Sequence, residues 1–170
     1  MRNLVEKMIP AEVLLQAGIF IQTWAHIELC IWQIGRAVKT NTPNPLMATI
    51  EDFKKRSRTR DLVKMFRQTK EKLPPQLCIE VELLSNRINS GLENRNLAAH
   101  GAAHFDEATQ GLLFAHYFFK KEDGTEKLFT INAPVRTQQI RTEIANANQL
   151  LLDLIDLRKR IGAFLETSHS

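Results

Sequence analysis

The sequence predicts a mainly α protein: an up-and-down bundle of four to five helices with a small β-hairpin inserted before the last helix. Three long segments carry apolar residues at helical spacing, proline-containing stretches separate them, and one aromatic-rich region with an Asp-Gly turn interrupts the helical pattern. With 170 residues, of which 44% are apolar and 25% charged, the chain fits one helical domain over residues 1–170. A chain of this size needs no metal or disulfide to hold its core.

The first helix is expected over residues 11–39, which contain no proline and consist mostly of good helix formers. Its middle could be mistaken for a membrane span, because the only formal charges between residues 13 and 37 are Glu28 and Arg36. A carboxylate at the centre of a bilayer costs about 2.5–3.5 kcal/mol, which instead favours a helix buried within protein. A buried Glu28 requires a partner, and Arg36 and Arg95 are the candidates.

A second helix is expected over about residues 47–73, after a loop at 40–45 that contains two prolines. Residues 54–72 carry nine basic and two acidic side chains, a local charge of +7 in a chain whose net charge is +4. Such a run is either a solvated helix face or a surface that attracts RNA. The candidate RNA-binding residues are the five cations at its start: Lys54, Lys55, Arg56, Arg58 and Arg60.

The second half of the chain contains two further helices and a hairpin. The third helix is expected to begin at the tandem prolines 74–75 and to stop at Gly101. Gly91 lies inside that helix, where close packing or a bend would explain it. Two extended runs joined by an Asp-Gly turn predict a hairpin over about residues 112–131. The final helix is expected from Pro134 to about Leu165.

Two features indicate the compartment. Cys30 and Cys78 are the two cysteines of the chain, which is too few for a disulfide framework and is typical of a reducing environment. The N-terminus lacks the basic start, apolar block and cleavage site of a secretory signal. We therefore expect a cytoplasmic protein that does not associate with a membrane.

The residues best suited to chemistry lie at the end of the third helix. Asn96 and His100 are one helical turn apart on the same face, and Arg95, about 140° around the helix from His100, has a side chain long enough to bend toward them. A guanidinium is a planar donor suited to phosphate, and an imidazole can give and take a proton near neutral pH. Ala98 and Ala99 between them leave room for a ligand or another backbone.

This run resembles the signature of the HEPN (higher eukaryotes and prokaryotes nucleotide-binding) superfamily, an Arg, a polar residue and, after a short spacer, a His near a helix end. The matching residues are Arg95-Asn96-Leu97-Ala98-Ala99-His100. The resemblance implies metal-independent RNA cleavage without a cofactor, commonly by toxins or phage-defence proteins. It implies a homodimer in which two motifs meet, with Arg95 and His100 catalytic and Asn96 in support.

The implied reaction gives a physical reason for two copies. Attack of a ribose 2′-OH on the adjacent phosphate requires a base at the nucleophile and an acid at the leaving 5′ oxygen, and one imidazole can hardly serve both. Two His100 side chains could divide these roles, giving a 2′,3′-cyclic phosphate and a 5′-OH end. In the branch of the family that pairs with nucleotidyltransferase antitoxins, a Tyr follows two residues after the His. Here that residue is Ala102, so an antitoxin or another regulatory partner is an expectation from the wider family alone.

Other interpretations of the same residues remain open. His100 and His104, with Glu93 or Asp106, could be read as metal ligands, but Gly101 is expected to end the helix between the two histidines and no third ligand has a diagnostic spacing. We therefore expect no metal site.

Two alternatives to catalysis come from other functional classes. The first is a non-catalytic module that binds RNA or a nucleotide at the same residues. The second is a scaffold for helical partners that uses the apolar first helix, in which case polar replacements of Trp24 or Trp32 would disrupt assembly.

Overall fold

The computed structural model describes residues 5, 8–42 and 59–168, with the backbone alone described at 116–121 and 128–133. Within these ranges the chain is mainly helical and contains a small three-stranded antiparallel sheet. A 3₁₀ turn, Thr69–Lys72, follows the second described helix. The helices and strands follow in this order: α1 (Ala11–Thr40), α2 (Thr59–Gln68), α3 (Pro75–His100), β1 (Ala102–Asp106), β2 (Gly111–Glu122), β3 (Thr125–Arg136) and α4 (Thr137–Thr167).

The chain divides into two compact units. The first, here called the sheet unit, comprises Met1–Thr23 and Leu92–Ala147, and the second, the helical unit, comprises Trp24–Gly91 and Asn148–Ser170. The helices α1, α3 and α4 each contribute residues to both units.

The sheet unit contains the strands in the order β1-β2-β3. Asp123 and Gly124 both have positive φ, 51° and 78°, and join β2 to β3 as a two-residue turn of the type that matches strand twist. The core of this unit consists of five buried apolar residues: Ile9, Val13, Leu112, Phe114 and Ile140. The predicted hairpin over 112–131 is thus confirmed and is longer, because its strands pair from Gly111 with Arg136 to Glu122 with Thr125.

The sheet contains one strand more than the predicted hairpin, and the predicted start of the final helix was wrong. Strand β1 had no distinct sequence signal, since its five residues follow the helix end directly and are ordered by pairing with β2. The final helix begins at Thr137 rather than Pro134, because residues 134–136 continue β3 opposite 111–113. The side chain of Gln139 also accepts a hydrogen bond from the Arg136 backbone N–H at 2.7 Å, a cap that fixes the helix start there.

The helical unit has a core of fully buried apolar side chains, with the hydroxyl of Ser85 buried among them: Ile27, Ile31, Ile34, Phe66, Val81, Ile88, Leu154, Leu157 and Ile161. Arg160 donates hydrogen bonds to both carboxylate oxygens of Glu80, and Arg87 donates to Asp153 at 2.5 Å. The earlier residue of α3, Glu80, pairs with the later residue of α4, Arg160, and the later residue of α3, Arg87, pairs with the earlier Asp153. Within this unit the two helices therefore run antiparallel.

Gly91 in α3 is explained by close packing. A Cβ atom built there would lie 2.5 Å from Cζ2 of the Trp24 ring, well inside contact distance. Trp24 is 3% exposed, so the ring fills space that only a glycine leaves open. The predicted close approach is confirmed.

Helix α1 confirms the expectation of one long first helix. By length and composition it could cross a membrane, with a mean hydropathy of 1.3 over an 18-residue window of which 39% is buried. The core helix of a soluble protein meets the same criteria, and α1 supplies buried apolar residues to both units, such as Val13 and Ile31. A cytoplasmic location without membrane association stays a prediction.

Glu28, the carboxylate in the middle of α1, is buried in the helical unit. The hydroxyl of Thr59 donates a hydrogen bond to its Oε1 at 2.9 Å, a partner that the sequence did not indicate. Arg36, one of the expected partners, lies over the Trp32 ring with 5.6 Å from its guanidinium carbon to the ring centre.

The end of the predicted second helix is confirmed as α2 and the 3₁₀ turn after it. Residues 47–58 of that prediction, and with them the candidate RNA-binding residues Lys54, Lys55, Arg56 and Arg58, lie outside the described residues. The fifth candidate, Arg60, lies in α2 and is exposed.

Candidate active site

The motif residues lie at the C-terminal end of α3, as the sequence predicted. The helix ends at His100, and Gly101 alone separates it from β1. The Gly101 N–H donates a hydrogen bond to the Leu97 carbonyl at 2.8 Å. A Cβ atom at Gly101 would lie 2.5 Å from that same oxygen, so only glycine allows the helix to stop and turn into a strand there.

Packing under the helix end fixes which side chains face water. Leu97 packs against the buried core of the sheet unit. Asn96, Ala99 and His100 are exposed, and Arg95 is partly buried. Because Leu97 is held in the core, the orientation of the helix about its axis is fixed, and the polar motif residues lie on its outward side.

The structure brings Arg95 and Asn96 into contact. The guanidinium Nη1 of Arg95 donates a hydrogen bond to Oδ1 of Asn96 at 3.0 Å. The Asn96 amide nitrogen makes no hydrogen bond within the described part of the chain and can donate outward. His100 follows one turn later, and its imidazole makes no hydrogen bond to another residue in the described part of the chain.

The arrangement combines groups that are suited to a phosphodiester. Arg95 supplies a permanent positive charge with planar donors, Asn96 a neutral donor and His100 a group that can exchange protons. Exposure at a helix end gives a polymer access to all three, whereas a deep cleft would limit access to small molecules.

The alternative metal interpretation involves His104, which lies in β1 and is exposed. The nearby Asp106 accepts hydrogen bonds from the Thr109 hydroxyl and the Ala108 N–H, and these bonds, with the charge of His104, lower the pKa of Asp106. Among the described residues, no group of three or more His, Cys, Asp or Glu side chains is placed to hold a metal ion.

An apolar cavity of about 420 Å³ lies in the sheet unit. Leu97 and Ala98 of the motif helix line it together with Phe20, Phe114 and Ile140. Around the helix, Asn96 lies about 160° from Ala98, whereas His100 lies only about 60° from Leu97, so the cavity side is opposite Asn96 but not opposite His100. The sequence missed this cavity because its lining comes from α1, α3, β2, β3 and α4.

A second cavity, of about 320 Å³, lies in the helical unit and is strongly basic. We call it the basic cavity. Its lining contains four cations and one carboxylate: Arg60, Lys64, Arg67, Lys70 and Glu71, with Val63, Gln68 and Asn89 completing it. The spacing of Arg60, Lys64 and Arg67 places them on one face of α2, a signal that was present in the sequence within the wider basic run.

Comparison with known proteins identified no relative of this chain. No protein-family model, no curated protein and no solved structure matches this chain. The likeness to the HEPN superfamily therefore rests on the six motif residues and on the helical order of the chain.

Proposed function

We propose that this chain is a metal-independent endoribonuclease of the HEPN type that acts as a cytoplasmic homodimer. Arg95 and His100 would be its catalytic residues, supported by Asn96. The observation that carries the proposal is the display of Asn96 and His100 one turn apart on the exposed end of α3, with the Arg95 guanidinium bound to the Asn96 amide. The arrangement we propose for the helices is the up-and-down bundle of four to five that the sequence predicts.

The reaction assigns one step to each group. A neutral His100 removes the proton from a ribose 2′-OH, and the 2′ oxygen forms a bond to the adjacent phosphorus. The bond from phosphorus to the 5′ oxygen breaks, and a protonated His100 from the second protomer donates a proton to that oxygen. Arg95 stabilises the negative charge that develops on the phosphoryl oxygens. The products are a 2′,3′-cyclic phosphate and a 5′-OH end.

Cleavage of a labelled single-stranded RNA in the presence of EDTA tests the proposal. We expect the wild-type chain to cut and the variants His100→Ala and Arg95→Ala each to cut at least about 10²-fold more slowly, since each removes a group that acts in the transition state. The matched control is His104→Ala, which removes an exposed imidazole four residues away in β1 and should cut normally. Cleavage that survives both motif substitutions, or that needs a divalent ion, contradicts the proposal.

Mixing tests the homodimer. When wild-type chain and His100→Ala chain are mixed equally and allowed to exchange, about one quarter of the dimers carry two intact imidazoles if pairing is random. A site that needs both histidines then retains about a quarter of the wild-type rate, whereas independent sites retain about half. The second result, or a strictly monomeric mass, argues against a composite site.

The basic cavity favours a second candidate, a module that binds RNA without cutting it. Four cations around one cavity attract a polyanion whether or not the motif is active. RNA that is retarded by the wild-type chain in a salt-sensitive manner, yet stays intact after long incubation, would support this function instead. If the chain cuts RNA, we propose that it acts as a toxin or a phage-defence effector, with an antitoxin as its partner. A chain that only binds RNA would have neither role.

A further inference from the structure

The basic cavity lies where α2 and the 3₁₀ turn face α3 in the helical unit. Arg60, Lys64 and Arg67 come from successive turns of one helix face, and Lys70 from the 3₁₀ turn. Across from them, α3 contributes Asn89. Four cations thus converge on a space lined by one carboxylate, and because Glu82 of α3 pairs with two of them, about two positive charges remain to attract an anion.

Two of these cations are held in place by α3. The Arg67 Nη2 atom donates a hydrogen bond to Oδ1 of Asn86 at 2.5 Å and lies 3.6 Å from Oε1 of Glu82. The Lys70 ammonium bonds to the other oxygen of Glu82 at 2.5 Å, which lowers the pKa of that carboxyl. Their heads are therefore oriented before any ligand arrives, which reduces the entropy lost on binding.

One hydrogen-bond donor of Arg67 has no acceptor within the described part of the chain. Its Nε atom is buried and has no hydrogen-bond partner among the described residues. A buried donor without an acceptor is rare, because it has lost water without gaining a replacement bond. Because the Nε atom has almost no accessible surface, a ligand in the adjoining cavity would contact the exposed part of the Arg67 guanidinium instead.

The other two cations are available to a ligand. Arg60 and Lys64 are exposed, and neither forms an ion pair or a hydrogen bond with another residue within the described ranges. Their long side chains can close over an anion that the fixed guanidinium orients. Guanidinium and ammonium groups in this combination are typical of phosphate sites.

We propose that the basic cavity binds a backbone phosphate of single-stranded RNA, with Arg67 as the fixed donor and Arg60 and Lys64 as mobile charges. Recognition of phosphate follows from the cations themselves, whereas RNA as its source rests on the proposed function. Its residues lie in the helical unit and the motif lies in the sheet unit, so the proposed phosphate site and the proposed catalytic site share no residue.

The affinity of the wild-type chain for a fluorescent 2′-O-methyl oligouridylate tests the proposal, because this RNA lacks the attacking hydroxyl and stays intact. Anisotropy is measured from about 50 to 200 mM NaCl, a range over which phosphate contacts are strongly salt-dependent. We expect Arg60→Gln and Lys64→Gln each to weaken binding about fivefold near 0.1 M salt and to make the salt slope shallower by about 0.7. The matched control, Lys159→Gln, removes an exposed charge of α4 that does not line the cavity and should change affinity less than about twofold.

The outcomes separate the cavity from the motif. Equal losses in Lys64→Gln and Lys159→Gln, or an unchanged slope in both cavity variants, overturn the cavity site even if unmodified RNA is cut. Loss of affinity confined to the cavity variants supports the site even if unmodified RNA is never cut, a result that removes the ribonuclease proposal alone.

A competition assay identifies the source of the phosphate. At constant ionic strength, inorganic phosphate and adenosine monophosphate should displace the oligouridylate only at concentrations far above its own, since the strand carries many phosphates and each competitor carries one. A mononucleotide that binds as tightly as the oligomer, and whose binding also falls in Lys64→Gln, overturns RNA as the ligand.

Discussion

The Arg95 guanidinium donates a hydrogen bond to the carboxamide oxygen of Asn96, the next residue in the chain, over 3.0 Å. Neighbouring residues on a helix point about 100° apart, so this contact requires the Arg95 side chain to bend around the helix toward Asn96 and His100. The bond therefore ties the guanidinium to Asn96, whose direction from the helix axis is about 40° from that of His100. In the ribonuclease that we propose, Asn96 would therefore position Arg95.

The variant Asn96→Ala tests that role. Without the amide oxygen, Arg95 can leave the phosphate position, and we expect cleavage to slow by about 10²-fold, the typical cost of a misplaced group. Affinity for the uncleavable 2′-O-methyl RNA should change little, because the charge is retained. Asn94→Ala, an exposed amide two residues earlier in α3, is the control. If both variants cut at the wild-type rate, Asn96 does not position Arg95.

Two glycines in helices should respond to alanine with opposite signs. At Gly91 the added methyl group meets the buried Trp24 ring, and overpacking of this kind costs about 1–3 kcal/mol, more than the gain in helix propensity. At Gly18 in α1 no atom lies within 4 Å of the added Cβ, so Gly18→Ala should stabilise by up to about 1 kcal/mol. Urea denaturation of both variants measures the two effects. A Gly91→Ala chain as stable as the wild type would contradict the packing at Trp24.

The two thiols should differ in reactivity. Burial raises the pKa of Cys30 to about 11, an effect that the charge of Arg158 only partly offsets. Cys78 is half-buried and directs its thiol to the carbonyl oxygens of Lys70 and Leu73. At about pH 8 a disulfide reagent should therefore modify Cys78 in the folded chain and reach Cys30 only after unfolding. Rapid labelling of a folded Cys78→Ser chain would refute this.

The raised pKa of Cys30 should also make the free energy of unfolding fall as the pH becomes alkaline. In the unfolded chain the thiol ionises near its ordinary value of 9.0, while in the folded chain it stays protonated up to about 11. The unfolded state therefore binds fewer protons in this range, and stability falls as the pH rises from about 9 to about 11. We expect a Cys30→Ala chain to show a smaller decline in urea midpoint over the same range.

The ion pair between Arg87 of α3 and Asp153 of α4 should stabilise the folded chain at neutral pH and be lost in acid. Burial alone would raise the pKa of Asp153, but hydrogen bonds from Arg87 and Gln149 and the charge of Arg87 lower it below the ordinary value of 3.8. The ion pair therefore adds to the free energy of unfolding above about pH 3.8. This contribution is lost as the pH falls through the lower pKa that Asp153 has in the folded state. Asp153→Asn should cost about 1 kcal/mol at pH 7, and the difference from wild type should vanish in acid.

The matched control for that pair is Asp156→Asn. Asp156 is 66% exposed and pairs with Arg160 one turn along the same helix, a geometry worth only about 0.3–0.5 kcal/mol. If Asp156→Asn proves as destabilising as Asp153→Asn, the Arg87–Asp153 pair has no special role in joining α3 to α4.

Features that depend on neighbours along the chain could be predicted from the sequence. The bounds of α1 and α3 follow from helical spacing and from the prolines between them, and the stop at Gly101 and the turn at Asp123-Gly124 follow from the residue types themselves. The placement of Arg95, Asn96 and His100 at a helix end follows for the same reason. Each depends on backbone preferences acting over a few residues.

The remaining features depend on segments that are distant in sequence and meet only in the folded chain. Strand β1 exists because β2 pairs with it, and residues 134–136 are extended because they lie opposite β2, against the preference of Pro134 for a helix start. The basic run likewise became a cavity with an oriented guanidinium only because Asn86 and Glu82 of α3 face Arg67. The sequence by itself determined the helices, the turns and the motif; tertiary contacts decided the third strand, the last helix start and the basic cavity, since packing between remote segments leaves no local pattern to read.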